Sequence, residues 1–162
     1  MRNLILFFSL LFVITASCKQ VQTDEQFVNS FVNDWISSAG SKACALKYLN
    51  IHESQLQDEA KKKFFFEWFS YISKCLNEEI VKNNGRFLLI PHQNNQENKM
   101  IKEFNLITDD YGGVFYVVTD SVVVTSIIVK NGKVISFCPI LNQGSRINRP
   151  WFINQPVLNF KE

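Results

Sequence analysis

Between Phe64 and Ile80 the apolar side chains recur at helical spacing and are unusually large: Phe64, Phe65, Trp68, Phe69, Tyr71, Ile72, Cys75, Leu76 and Ile80. At about 100° per residue they cover roughly half of a helix circumference, whereas an ordinary surface helix buries a stripe only about 100° wide. A face that wide asks for a concave partner. Ser54 with Gln57 makes a capping box, and Asn83-Asn84-Gly85 is a strong stop, so one long helix is predicted from Ser54 to Asn83. Phe66 falls off the arc, towards Ser70 and Asn77, and reads as a partly exposed ring.

Two shorter helices precede it. Asp24 is an N-cap candidate, and Phe27, Val28, Phe31, Val32, Trp35 and Ile36 then repeat at helical spacing up to the stop at Gly40. A second helix over about Lys42 to Leu49 carries Cys44, Ala45, Leu46 and Tyr48. After Gly85 the period changes to two. Strands are predicted over Arg86–Pro91, Ile101–Thr108, Val114–Thr119 and Val122–Lys130, with a polar loop from His92 to Asn98 and a turn from Asp109 to Gly113. Asn131-Gly132 is the sharpest local signal, a two-residue type I′ hairpin loop. It pairs Lys130 with Lys133, Val129 with Val134 and Ile128 with Ile135, and the returning strand ends near Pro139. Both faces of this hairpin are apolar, which places it centrally and covered on both sides. The tail from Leu141 onward is broken by Gly144, Pro150 and Pro156 into loops, from which Trp151, Phe152, Ile153, Leu158 and Phe160 can dock on the body.

The chain begins with Arg2, an apolar run from Leu4 to Ile14 broken only by Ser9, and the small residues Thr15-Ala16-Ser17 before Cys18. That is the three-part layout of a secretory signal, and the run is shorter than the ~20 residues that cross a bilayer. Ala16-Ser17-Cys18 match the last three positions of the lipobox, and the stretch resembles the export signal of bacterial lipoproteins. Thr15 departs from it, standing where that family usually has Leu. The resemblance implies cleavage after residue 17, lipid attachment at Cys18 and a membrane as partner. Two or more acyl chains hold a protein stably where one does not. Lys19 to Thr23 is polar and without periodicity, so residues 18–23 read as a lipidated tether, and the length that remains suits a single domain over residues 24–162. Lys19 in place of the Asp that favours inner-membrane retention in that family points to the outer membrane, either face.

Composition excludes more than it identifies. Seventeen basic against fifteen acidic residues leave no electrostatic footprint for nucleic acid. His52 and His92, the only two histidines, belong to no HxxxH or HExxH pair, and no cysteines show CxxC spacing, so no metal or other cofactor is expected. No nucleophile elbow or phosphate-cradling glycine pattern occurs, and Asp109-Asp110 reads as turn chemistry. An exported protein is free to form a disulfide, and Cys44 and Cys75, on consecutive predicted helices, are the possible pair. Lys61-Lys62-Lys63 reads as a solvated helix face. The richest polar stretch is Asn142 to Trp151, in which Arg146, Arg149 and Trp151 are the possible binding residues. Arg149, extended because it precedes Pro150, is the contact candidate, whereas Arg146 and Trp151 are expected to fasten the tail.

Helices first and about five strands after, with one helix in need of a concave partner, predict an α+β fold. The element order over approximately Asp24 to Pro139 resembles the NTF2-like (cystatin-like) superfamily, in which a curved antiparallel sheet wraps a long helix. Its members include enzymes, ligand binders and scaffolds. The expected function is a non-catalytic envelope domain binding a protein or small ligand. The alternative is an NTF2-like enzyme with its pocket between helix and sheet, for which Tyr71, Tyr116 and Arg146 are the polar candidates.

Overall fold

The computed structural model describes residues 22–120, 122–141 and 147–153. Helices α1 (Asp24–Ser37), α2 (Lys42–Tyr48), α3 (Glu53–Gln57) and α4 (Glu59–Lys82) come first. Strand β1 (Leu88–Pro91), helix α5 (Lys99–Phe104) and strands β2 (Val114–Val118), β3 (Val123–Lys130), β4 (Lys133–Ser136), β5 (Pro139–Leu141) and β6 (Asn148–Pro150) follow. The fold is α+β, as expected. Its main sheet is open, antiparallel and four-stranded in the order β1-β2-β3-β4, and β5 and β6 form a separate pair.

Each helix starts where a side chain takes up its first free N–H groups. Thr23, one residue before the expected Asp24, caps α1: its hydroxyl accepts from Gln26 N, and the Gln26 side chain accepts from Thr23 N. The single helix predicted from Ser54 is two helices. Its N-cap is His52, whose Nδ1 accepts from Ser54 N at 3.2 Å. A break at Asp58 then starts α4, because the Asp58 carboxylate accepts from both Ala60 N and Lys61 N. At the end of α1 the chain turns through Gly40 in the left-handed region (φ 70°). A Cβ there would stand 1.9 Å from Ser73 Oγ, so only glycine lets α1 lie this close to α4.

The face that α4 buries is narrower than its apolar arc. Phe65, Phe69, Ser73, Leu76 and Ile80 are buried, whereas Phe64 and Tyr71 are 61% and 64% exposed. The open sheet meets α4 along one stripe and does not wrap it. Trp68 is half-buried, and Trp151 from the tail covers it with ring centroids 4.5 Å apart.

The sheet carries a core on each face, because successive residues of a strand point opposite ways. Phe115, Val117, Ile127, Val129 and Val134 join α1, α2 and α4, while Val114, Tyr116, Val118, Val123 and Ile128 join Ile101 and Phe104 of α5. The β3–β4 hairpin forms at Asn131-Gly132 with Lys130 opposite Lys133 and Val129 opposite Val134. A bulge then places Ile128 opposite Ser136, not Ile135. Strand β4 is an edge, covered by a parallel bridge from Leu49 and by Asn50 N, which donates to Val134 O at 2.9 Å.

The predicted strand over Ile101–Thr108 is instead helix α5 and a short extended piece. Asn98 caps its start, accepting from Met100 N at 2.9 Å, and Asn105 ends it in the left-handed conformation. The tail is more regular than expected. Asn148 in β6 bridges Leu106, donating its N–H to Asn105 O and accepting from Ile107 N. Ile153 is buried, its N–H donating to Ile135 O and its carbonyl accepting from Gln55 Nε2. Trp151 and Phe152 pack into opposite cores, so the tail grips both faces of the sheet.

Candidate functional site

A cleft of about 500 Å³ opens on the α5 face of the sheet, within the range of small-molecule sites. Three stretches form its walls. The turn after α5 gives Ile107, Thr108, Asp109, Asp110 and Gly113. Strands β3 and β4 give Ile128, Val129, Lys130 and Ile135, and the tail gives Arg149, Pro150 and Phe152. The sequence places the walls through local chemistry: Asp110 Oδ1 accepts from Gly112 N at 2.8 Å to close the turn, and Val129 N donates to Gly113 O at 2.9 Å. A Cβ on Gly113 would stand 2.1 Å from Val129 O, so this residue lets the turn lie on β3.

The electrostatics of the cleft are mixed. Arg149 and Lys130 are exposed on two walls, and Asp109 and Asp110 are exposed on the third. Among the described residues none of these four forms an ion pair. Ile128, Ile135 and Phe152 add apolar side chains to the lining.

An aromatic brace lies behind the turn wall. Tyr111 donates to Leu106 O at 2.8 Å and stacks on His92 with centroids 4.2 Å apart. His92 Nδ1 shares a 2.9 Å hydrogen bond with the Tyr116 hydroxyl. Burial lowers the His92 pKa below its ordinary value, and burial, with Tyr111 adding, pushes Tyr116 up to about 12. Both rings are therefore neutral near pH 7 and act as packing and hydrogen-bonding groups.

The residues nominated from the sequence separate. Arg149 is exposed and lines the cleft; Trp151 is packed on the helical core, as expected for a tail fastener. Arg146 and Cys18 lie outside the described residues. Cys44 is buried in the helical core and Cys75 is exposed on α4; both are thiols in this structure and no bridge joins them. Lys61, Lys62 and Lys63 pair with Asp58, Glu59 and Glu67 on their own surface. His52 is a helix cap. Tyr71 faces solvent on α4 and Tyr116 sits on the far side of the sheet, so these two enzyme candidates do not meet.

The space between α4 and the sheet is filled. Trp35 stacks on Phe31 and Phe69 with centroids 5.2 and 5.7 Å away, and Phe137 meets Trp35 and Phe69 edge-on at 5.2 and 5.3 Å. The one polar side chain of α4 buried there is Ser73, which accepts from Trp35 Nε1 and donates to Phe69 O. Elsewhere Asp34 accepts from Lys47 at 2.8 Å and from the Tyr48 hydroxyl at 2.6 Å, joining α1 to α2. The Lys47 and Tyr48 hydrogen bonds hold its carboxyl below the usual range. Among the described residues no three His, Cys, Asp or Glu side chains are grouped to hold a metal ion, and no helix is long and apolar enough to cross a membrane.

Lys130 was not singled out by the sequence reading, and neither was the cleft, because its walls come from stretches far apart in the chain. Compared with known proteins, the chain matches no family model, no curated protein and no solved structure.

Proposed function

We propose that this is a lipid-anchored protein of the bacterial envelope, held in the outer membrane through Cys18, whose mature domain is a non-catalytic binding module. The observation that carries the binding half is the cleft of about 500 Å³, whose walls present Arg149, Lys130, Asp109 and Asp110, none in an ion pair among the described residues, beside the apolar side chains of Ile135 and Phe152. The Ala16-Ser17-Cys18 signal supports the attachment. Helices first and an antiparallel sheet after support an NTF2-like architecture, from which the chain departs in helix α5 between β1 and β2 and in a sheet that does not wrap α4. Where enzymes of that superfamily keep a pocket, Trp35, Phe69 and Phe137 fill the space.

Two measurements test the proposal. Labelled fatty acid enters the wild-type protein and is absent from Cys18→Ala; equal labelling of the two contradicts attachment. Amide shifts of 15N-labelled protein, titrated with a panel of amino acids, short peptides, sugars and fatty acids, move first at residues 107–113, 128–130 and 149–152. Shifts confined to α1 and α4 would place the ligand in the helical core and refute the cleft.

A further inference from the structure

We propose that Cys75 and Cys138 form a disulfide when the chain meets an oxidising environment, and that this bridge fastens the β5–β6 pair to α4. Chain order points to Cys44 as the partner of Cys75; packing points to Cys138.

Two neighbours place Cys138 over α4. Phe137, directly before it, lays its ring against Trp68 and Phe69 with centroids 5.4 and 5.3 Å away. Across the β5–β6 ladder Pro139 stands opposite Pro150, so the next step outward sets Cys138 opposite Trp151. Trp151 also rests on Trp68, with centroids 4.5 Å apart. Both neighbours of Cys138 therefore touch the same residue of α4. From Trp68, steps of four and three residues lead through Ile72 to Cys75, and seven residues turn a helix through almost two whole turns, so the three share one side of α4. Ile72 and Cys138 are both half-buried against the helical core. The two sulfurs also stand in each other's field: burial first, and the Cys75 thiol second, push the Cys138 thiol up to about 11. Cys44 is placed differently. It is buried in α2, and besides burial the groups that act on its thiol are Ser38, Asp34 and Lys47, with no cysteine among them.

Exposure sets the order of the chemistry. Cys75 is exposed and Cys138 is half-buried, so an external disulfide is met first by Cys75. The Cys75 thiolate attacks one sulfur of that disulfide, a mixed disulfide forms, and the first external thiolate leaves and takes up a proton. The Cys138 thiolate then attacks the Cys75 sulfur, the internal S–S bond forms, and the second external thiolate leaves and is protonated in turn. The chain gives up two electrons and two protons, and the external disulfide gains both. An envelope protein meets oxidants of this class, and the placement of the pair does not depend on that location. The bridge would close the loop of residues 75–138, long enough for a cross-link to stabilise the fold strongly.

The test uses the full-length chain, purified in detergent and reduced, then incubated with oxidised glutathione under native conditions, denatured, alkylated and cut with trypsin. The expected product is peptide 75–82 joined to peptide 134–146, with Cys44 alkylated in peptide 43–47. The oxidised protein melts about 5–10 °C above the reduced one. Cys75→Ser, at an exposed position, abolishes the joined peptide and the shift, while its melting temperature matches that of the reduced wild type. Peptide 75–82 joined to peptide 43–47, or found only alkylated, linked to glutathione or linked to a second chain, overturns the pair. A 75–138 bridge that appears only in urea, or that leaves the melting temperature unchanged or lower, overturns the fastening of β5–β6 to α4.

Discussion

Trp35 is the keystone of the helical core, and replacing it by Ala tests whether that core is as closed as described. The side chain is 1% exposed and touches Phe31, Phe69 and Phe137. A buried Trp removes about 200 Å² from water, worth about 5 kcal/mol at ~25 cal/mol per Å². Alanine recovers a small part of this, and rigid ring neighbours collapse poorly into the space left. The expected loss is about 4–5 kcal/mol, at the upper end for large-to-small core changes. For a domain of this size that is a fall of about 12–15 °C in Tm. Trp35→Phe keeps the stacking and loses the hydrogen bond from Nε1 to Ser73, whose hydroxyl still donates to Phe69 O. It costs about 1–2 kcal/mol. Urea unfolding followed by far-ultraviolet circular dichroism measures both. A loss below about 1.5 kcal/mol for Trp35→Ala would mean that the rings around it are loosely packed. A ligand pocket beside α4 would then return as a reading.

Other outcomes follow from the same contacts. Gly40→Ala introduces a Cβ 1.9 Å from Ser73 Oγ at a positive φ, and chemical denaturation should show a loss of at least about 1–2 kcal/mol. Trp68→Ala and Trp151→Ala, both at half-buried positions, each cost about 2 kcal/mol, and a double-mutant cycle gives a coupling of about 0.5–1.5 kcal/mol for the ring pair. Because the folded state lowers the pKa of His92, its contribution is complete above about pH 6.5 and is lost as the pH falls through its folded value. Thermal melts from pH 7.5 to 5.5 should therefore decline, and the decline should be shallower in His92→Gln.

Where a few neighbouring residues decide the structure, the sequence was readable. Asn131-Gly132 specified the hairpin, and the Phe27 to Trp35 spacing specified α1. Failures came where two local signals competed or where tertiary contacts decided. Ile101 to Thr108 carries enough apolar residues to be read as a strand, but Ile101 and Phe104 stand at helical spacing and Asn98 and Asn105 cap the segment as a helix. The width of the α4 arc suggested a wrapping sheet, yet Phe64 and Tyr71 stay in solvent, because apolar residues on a helix do not all find a partner. The bulge at Ile128 leaves no mark on a binary pattern. For the candidate site, Arg149 was legible through Pro150, which fixes an extended backbone. Lys130 looked like an ordinary strand end. Its place in the cleft wall arises only when the turn around Asp109 and the tail fold over the hairpin, a juxtaposition that no local spacing records.

The most direct test of the central claim is calorimetric melting of Arg149→Ala/Lys130→Ala beside the wild type, with and without a saturating amount of the panel compound that shifts the amides of residues 107–113, 128–130 and 149–152. Both side chains are exposed and form no ion pair among the described residues, so the account predicts unliganded melting temperatures within about 1 °C of each other. That ligand raises the wild-type transition by several degrees and leaves the variant unmoved. A variant that melts much lower without ligand, or that is still stabilised by it, would show that these cations hold the fold and do not form the site.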